Sequence, residues 1–163
     1  MNKVTKAISH WLLWLPLTLL VLIVTAISID SFGCNYEMKM NTAGIDYQGV
    51  CRWGMLSIIE EEPATKAKWQ VDGWQVAFMN QFIFFVSERR LLNKGNGQHS
   101  ALNNYNQLQS DYTIVNYTWV PLTKNHIAMF QKTPHHDVIL VEQNGWFSFS
   151  HRLFPATPLL GNK

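Results

Sequence analysis

Two cysteines, Cys34 and Cys51, are the residues with the best-defined chemistry in this sequence of 163 residues. Side chains alternate between apolar and polar from Cys34 onward, and a second extended stretch begins near Ile45, so a β-hairpin is predicted. If the chain turns at residues 42–44, Cys34 lies directly opposite Cys51 on the same face. We predict a disulfide between them. Redox catalysis is not indicated, because the sequence has no Cys-x-x-Cys motif.

Histidine is the second residue type with candidate chemistry, because its charge changes between about pH 5 and pH 8. The adjacent pair His135-His136 precedes Asp137, but neighbouring side chains of an extended chain point to opposite faces. The pair therefore predicts a polar turn rather than a metal site. Proton sensing is the alternative role, and its candidate residues are His126, His135, His136 and His151.

The sequence contains no motif of a common enzyme class: Gly-x-Ser-x-Gly, His-Glu-x-x-His and the kinase motifs are all missing. We therefore predict no enzymatic activity, no catalytic residue and no cofactor. Without Lys3 and Lys6, the remaining 11 Lys and Arg balance 11 Asp and Glu. A neutral domain without a basic patch argues against direct contact with nucleic acid.

Aromatic residues make up 13% of the chain, and several of them lie in predicted strands. The run Phe82-Ile83-Phe84-Phe85-Val86 is too apolar for a half-exposed strand. It predicts either a core strand that is buried on both faces or a strand that lines an apolar pocket. The candidate residues for an apolar pocket or a partner contact are Phe82, Phe84, Phe85, Trp119 and Trp146.

Most of the chain after residue 30 has the pattern of short β-strands. The dipeptides Asp72-Gly73 and Asn144-Gly145 predict tight hairpin turns. The acidic run Glu60-Glu61-Glu62 before Pro63 predicts a solvated loop, with an acid-titrating or partner-docking patch as the alternative. The polar stretch 98–111 predicts a loop or a short frayed helix. The predicted fold is mainly β, with α+β as the alternative, and its architecture is a β-meander that forms a half-barrel or sandwich.

An apolar segment at residues 11–29 precedes this β-rich region and contains no charged residue. At about 1.5 Å per residue its 19 residues reach roughly 28 Å, close to the thickness of the hydrocarbon core of a bilayer. Lys3 and Lys6 precede the segment and Asp30 follows it, so the positive-inside rule places the N-terminus in the cytoplasm. The predicted organisation is a cytoplasmic tail at 1–10, a transmembrane helix at 11–29 and an exported domain at 30–163.

Two processing events are alternatives to a retained anchor. Ala26-Ile27-Ser28 fits the cleavage site of a signal peptide, although the apolar run is longer than the roughly 7–15 residues of a typical signal-peptide core. Cys34 is the candidate site of a lipoprotein, but the preceding Ser31-Phe32-Gly33 lacks the aliphatic residue that such processing requires. In every case the β-rich domain is exported, and cleavage of the N-terminal segment stays open.

The whole arrangement resembles the ToxS-like accessory regulators of the bacterial inner membrane. Phe32-Gly33-Cys34-Asn35-Tyr36 and Gly49-Val50-Cys51-Arg52 are most similar to the PsaF/MyfF and FidL-like proteins of this group. The resemblance implies a periplasmic domain that binds and stabilises the periplasmic domain of a transmembrane winged-helix transcription factor. It further implies control of virulence or fimbrial genes, with acidity, temperature or a small amphipathic ligand as the signal, and no family catalytic residue.

Two other functions fit the same topology. One is an envelope assembly factor that holds a structural partner without sensing a signal. The other is a membrane-anchored immunity protein against an exported toxin. A neighbouring gene for a membrane-bound winged-helix regulator distinguishes the accessory regulator from both.

Overall fold

A computed structural model of the protein describes residues 3–96, 100–133 and 137–160, with side chains described for 14–96, 100–131 and 137–160. Three helices and eight strands follow one another in this part of the chain. They are α1 (Lys3–Phe32), β1 (Asn35–Thr42), β2 (Ile45–Arg52), β3 (Met55–Glu62), β4 (Ala67–Phe78), β5 (Gln81–Asn93), α2 (Ala101–Leu108), β6 (Ile114–Pro121), β7 (His126–Thr133), β8 (Asp137–Trp146) and α3 (Phe149–Leu153).

The eight strands form a closed antiparallel barrel in which each strand pairs with the next and β8 pairs with β1. The mainly β prediction is confirmed, and the predicted meander closes on itself. Since neighbouring strands are antiparallel, the barrel has two distinct ends. The proximal end holds the start of β1, the β2–β3 and β4–β5 turns, and helices α1 and α3. The distal end holds the β1–β2 turn and helix α2.

Side chains alternate along the strands between the barrel interior and the outer surface, as one buried face requires. Near the proximal end the interior is aromatic, with Tyr36, Phe82, Trp119 and Phe147 each at most 2% exposed. The prediction that both faces of the Phe82 strand are buried is wrong. Phe82 and Phe84 face inward, whereas Phe85 is 39% exposed on the outer surface, because a barrel strand has a solvent face.

The two Gly-containing dipeptides that predicted hairpin turns lie inside strands instead. Asp72-Gly73 lies within β4 at a shift in the register with β5, and Asn144-Gly145 lies within β8. A Cβ atom on Gly145 would lie 2.1 Å from the backbone oxygen of Asn35. Close approach of a neighbouring strand, rather than a turn, therefore explains this glycine.

The β1–β2 turn is shorter than predicted and consists of Ala43 and Gly44 alone, both with positive φ as in a type I′ turn. The register shifts by two residues, so that Cys51 pairs with Tyr36 and not with Cys34. Cys34 lies one residue before β1 and reaches Cys51 diagonally, with the Cα atoms 5.9 Å apart. The predicted disulfide is present, although the predicted pairing was wrong.

Two stretches of predicted loop also have regular structure. Residues 98–111 contain α2, in agreement with the short-helix prediction, and the Ser100 side chain caps its first turn by accepting a hydrogen bond from the Asn103 N–H. The acidic run Glu60–Glu62, predicted as a solvated loop, forms the end of β3. Glu60 continues the inward-facing positions of that strand and is only 5% exposed.

Helix α1 leaves the proximal end as an extended apolar rod. Its segment Trp14–Phe32 has a mean hydropathy of 2.1 and is long and apolar enough to span a membrane. From residue 14 to residue 26 every side chain is exposed, so the barrel covers only the last turns of the helix.

A set of polar and aromatic contacts joins these last turns to the barrel, and we call it the junction. The Asp30 carboxylate accepts hydrogen bonds from the N–H and the hydroxyl of Ser150 at 2.6 and 2.7 Å. The Ala77 N–H donates to Ser31 Oγ, and the Phe32 ring packs edge-on against Trp74. A single residue, Gly33, separates α1 from Cys34, so α1 and the barrel form one unit.

Reduction of the disulfide is expected to destabilise the protein strongly. The bond joins two residues that are 17 positions apart in the sequence. For a loop of this length the chain-entropy estimate gives a stabilisation of about 3 kcal/mol. The double variant Cys34→Ser, Cys51→Ser should lower the free energy of unfolding by a comparable amount, measured by urea unfolding of the detergent-solubilised protein. A free energy equal to that of the oxidised wild type would contradict this.

Candidate functional site

A cavity of about 160 Å³ lies inside the distal half of the barrel. Its walls come from the inner faces of several strands, from the β1–β2 turn and from α2. The part nearest the aromatic core is apolar, and the part nearest α2 is polar. The apolar walls include Ile58, Val71, Phe84, Val115 and Ile139, and the polar walls include Tyr47, Glu60, Arg89, Tyr105, Gln109, Tyr117 and Gln131.

Glu60 is the charged group buried most deeply in this cavity. Its inward position follows from the alternation of β3, in which Leu56 and Ile58 also face the interior. Burial raises the pKa of the Glu60 carboxyl, and the hydrogen bond from Asn106 and the positive charge of Arg89 offset this only in part. The protein thus keeps an acid at a position where its ionised form is disfavoured.

Asn106 connects Glu60 to Arg89 and fixes α2 over the cavity. Its side chain is 1% exposed. The Asn106 amide nitrogen donates to Glu60 Oε2, and its amide oxygen accepts from Arg89 Nη1 at 3.0 Å. A carboxylate requires a donor and a guanidinium requires an acceptor, so one amide can bond to both charged neighbours. Arg89 Nε is buried and has no hydrogen-bond partner among the described residues.

Three tyrosines complete the polar part of the cavity. Burial, and next the Glu60 carboxylate or a neighbouring tyrosine, raises the pKa values of Tyr47, Tyr105 and Tyr117, so their hydroxyls stay neutral donors and acceptors at any physiological pH. Together with the unpaired Nε of Arg89, the three tyrosine hydroxyls offer polar contacts opposite the apolar walls of the cavity. At about 160 Å³ the cavity is smaller than the roughly 300–1,000 Å³ of typical ligand pockets, so it has room only for a very small molecule. The described residues contain no cluster of three metal-ligating side chains.

The five aromatic residues predicted to form an apolar pocket or a partner contact do not form one surface. Phe84 lines the distal cavity, whereas Phe82 and Trp119 pack around Phe147 in the proximal core. Phe85 faces outward. Trp146 belongs to the junction, where its indole N–H donates to the Gly33 carbonyl at 2.9 Å.

The histidine candidates also lie in different places. His135 and His136 lie outside the described residues. His126 is exposed at the start of β7, and its Nδ1 lies 3.1 Å from the Thr123 hydroxyl. His151 in α3 stacks against Phe147, and its Nδ1 accepts a hydrogen bond from the Phe147 N–H. Burial lowers the pKa of His151, so the neutral ring is the form that this packing favours.

Sequence reasoning missed Arg89 and Asn106, and it considered Glu60 only as part of an acidic run and not as a buried residue. For Glu60 a signal existed, because the alternation of Leu56 and Ile58 continues to it with a period of two. The acidic neighbours Glu61 and Glu62 concealed that signal by suggesting a solvated loop. No comparable signal marks Asn106, since its burial depends on how α2 packs against β3 and β4.

A second feature lies on the outer surface of strands β6, β7 and β8. Phe130 pairs with Val138 across β7 and β8, and Ala128 pairs both with Val120 on β6 and with Leu140 on β8. Phe130, Val138 and Leu140 are 41%, 70% and 59% exposed. These five residues form a contiguous apolar surface on the barrel exterior, and we call it the wall patch.

A scan against protein-family models and a search of curated proteins both give no match for this chain.

Replacing Glu60 with Gln is expected to raise the melting temperature at neutral pH. Because the folded protein binds the Glu60 proton more tightly than the unfolded chain, stability is gained as pH falls through the raised pKa. The amide removes this dependence and can still accept the bond from Asn106. The gain in melting temperature should therefore be largest above the pKa of Glu60 in the folded protein and vanish below about pH 4.5. Scanning calorimetry between pH 4 and pH 8 measures it.

The control for this prediction is Glu142→Gln, at an exposed position on the outer face of β8. That change should leave the melting temperature within about a degree of the wild type at each pH, since exposed positions contribute little. A Glu60→Gln protein that melts lower than the wild type at every pH would contradict the prediction.

Replacing His151 with Asn is expected to weaken the loss of stability on acidification. The lowered pKa of His151 means that the unfolded chain binds the proton more tightly, so stability falls as pH drops below about 6.5. An Asn side chain supplies an acceptor for the Phe147 N–H but does not titrate. The melting temperature of the variant should be lower than that of the wild type at pH 7.5, because ring packing is lost. It should change less than that of the wild type between pH 7.5 and pH 5.

The matched control is His126→Asn at an exposed position. Its melting temperature should change between pH 7.5 and pH 5 as much as that of the wild type. An equal change in the His151→Asn and wild-type proteins would show that His151 does not contribute to the acid response.

Proposed function

We propose that this protein is a membrane-anchored accessory regulator. Its α1 helix spans the bacterial inner membrane, and its periplasmic barrel binds, stabilises and activates the periplasmic domain of a co-expressed transmembrane winged-helix transcription factor. The apolar α1 supports the anchor, and the Cys34–Cys51 disulfide supports an oxidising compartment. The partner class comes from the resemblance of the sequence to ToxS-like proteins.

The wall patch is the observation that carries partner binding. A barrel fills its core with inward side chains, so apolar residues on its outer face add nothing to that core. Single exposed apolar residues are common on protein surfaces, but contiguous ones mark interaction sites. Here they form one row of three residues across β6, β7 and β8 and an adjacent pair across β7 and β8, a surface on which a folded domain can dock.

The distal cavity is the proposed input site of this regulator. A small amphipathic ligand would place its apolar part against Phe84 and Val115 and its polar group near Arg89. Protons are a second input, since Glu60 and His151 respond to acidification with opposite effects on stability. Either input would act on α2 or α3, the helices that close the two ends of the barrel.

Two other functions would use the same wall patch with a different partner. An envelope assembly factor would bind a structural component, and an immunity protein would bind an exported toxin. Neither would alter the level of a transcription factor, so the level of the regulator distinguishes the three.

Lysine at Val138 or Leu140 is expected to abolish co-purification of the regulator from membranes and to lower its cellular level at least several-fold. A charge within the wall patch must be desolvated when the partner binds. The matched control is Val50→Lys, on the outer face of β2 opposite Glu37, where the wild-type valine is 42% exposed. The control should leave both the co-purification and the level of the regulator unchanged.

The accessory protein itself must stay folded and present in each strain, as judged by its own level and melting temperature. If the Val138→Lys and Leu140→Lys proteins accumulate normally and the regulator is still bound and stable, the wall patch is not the binding surface. If deletion of the whole protein also leaves the regulator unaffected, the accessory-regulator function is wrong.

A further inference from the structure

We propose that the proximal end of the barrel lies in the headgroup layer of the membrane that α1 spans. This inference rests on the anchor in the proposed function, but not on the regulator. Its contact surface, which we call the rim, consists of Trp53 in the β2–β3 turn, Met79 in the β4–β5 turn, and Leu153 and Phe154 at the end of α3. These side chains are 75%, 78%, 70% and 79% exposed.

All four rim residues lie at the end of the barrel from which α1 leaves. In an antiparallel barrel the β2–β3 and β4–β5 turns are at the same end as the start of β1, and α3 follows β8 at that end as well. The rim is therefore continuous with the apolar surface of α1. Phe32 provides the connection, because its ring packs against Trp74 and lies beside Gly54 of the β2–β3 turn.

The turn conformations of Trp53 and Met79 point to a role outside the fold. Both residues have positive φ, 54° and 53°, where glycine and asparagine are favoured and a bulky side chain is rare. A large apolar side chain at such a position usually requires compensation from packing. Because both side chains are more than 70% exposed, that compensation does not come from the barrel.

The junction leaves the rim little freedom to move away from the bilayer. The uncharged segment 11–29 has 19 residues, which at about 1.5 Å per residue reaches roughly 28 Å and places Asp30 at the edge of a hydrocarbon core about 30 Å thick. Only Gly33 separates α1 from Cys34, which is fixed to β2 by the disulfide. Trp53 and Met79 therefore have to lie near the headgroups, where aromatic and amphipathic side chains are stable.

Charges at the proximal end agree with a lipid surface as the occupant. Lys124 and Arg152 lie at this end, and the Arg152 guanidinium is 4.8 Å from the centre of the Trp146 ring. Arg52 also lies there, but it pairs with Glu37 at 3.3 Å. Asp30 is the acid nearest to the membrane, and Ser150 binds its carboxylate. Cations beside apolar side chains favour an interface that contains anionic lipids.

Spin labels on the full-length protein test this inference in vesicles of phosphatidylethanolamine and phosphatidylglycerol. Both native cysteines are in the disulfide, so Met79→Cys introduces a unique labelling site. Leu108→Cys is the matched control, since Leu108 is also 78% exposed but lies in α2 at the distal end. Val21→Cys reports on the span itself. Collisions with oxygen, which enters the bilayer, are compared with collisions with a water-soluble nickel chelate.

The label at Met79 is expected to show a ratio of oxygen to nickel collisions several-fold higher than that of the label at Leu108. Equal ratios at these two positions, with Val21 protected from nickel, would overturn the rim inference and leave the anchor intact. Protection from both reagents at Met79 would also overturn it, because a protein would then cover the rim. Exposure of Val21 to nickel would overturn the anchor as well.

The variant Trp53→Asn separates membrane contact from a structural role. It creates an Asn-Gly turn, which suits the positive φ of this position, so its melting temperature in detergent should equal or exceed that of the wild type. The rim inference predicts that the Met79 label in this background becomes more accessible to nickel. Unchanged accessibility together with a lower melting temperature would assign Trp53 a structural role and contradict the inference.

Discussion

The junction between α1 and the barrel is the constraint on which the rest of the structure depends. An isolated apolar helix could follow any direction, but the Asp30 carboxylate holds α3, Ser31 bonds to Ala77 on β4, and the disulfide of Cys34 holds β2. These contacts come from three separate parts of the barrel. They determine from which end of the barrel the apolar helix leaves, and hence that α2 and the distal cavity lie at the opposite end.

The interior of the barrel is divided between two kinds of chemistry. Near the proximal end it is aromatic, and Gln75 accepts from the Tyr36 hydroxyl and donates to the Phe147 carbonyl. Trp119 Nε1 is buried there without a hydrogen-bond partner among the described residues. At the distal end Glu60 and Arg89 share the single amide of Asn106. A buried acid with a raised pKa lowers stability at neutral pH, and groups with shifted pKa values cluster at functional sites. This contrast identifies the distal end as the candidate site.

The strands, the core positions and the disulfide were predictable because alternation with a period of two is a local property of the sequence. The register was not, since a two-residue turn at Ala43-Gly44 and a three-residue turn fit the same residues. Gly73 and Gly145 were predicted to lie in turns. Close approach of a paired strand explains both, β5 for Gly73 and β1 for Gly145, and such an approach leaves no local signal in the sequence. For the same reason the cavity groups Arg89 and Asn106, which lie 17 residues apart, escaped prediction.

If α1 and the barrel form one rigid unit, the distance between a site in α1 and a site at the far end of the barrel should be fixed. Spin labels at Val24→Cys in α1 and Leu108→Cys in α2, both exposed in the wild type, allow pulsed electron resonance on the full-length protein in lipid nanodiscs. A rigid connection predicts a single narrow distance distribution that is the same in nanodiscs and in detergent. A broad distribution, or one that differs between nanodiscs and detergent, would show that the helix pivots on the barrel and would contradict a rigid connection.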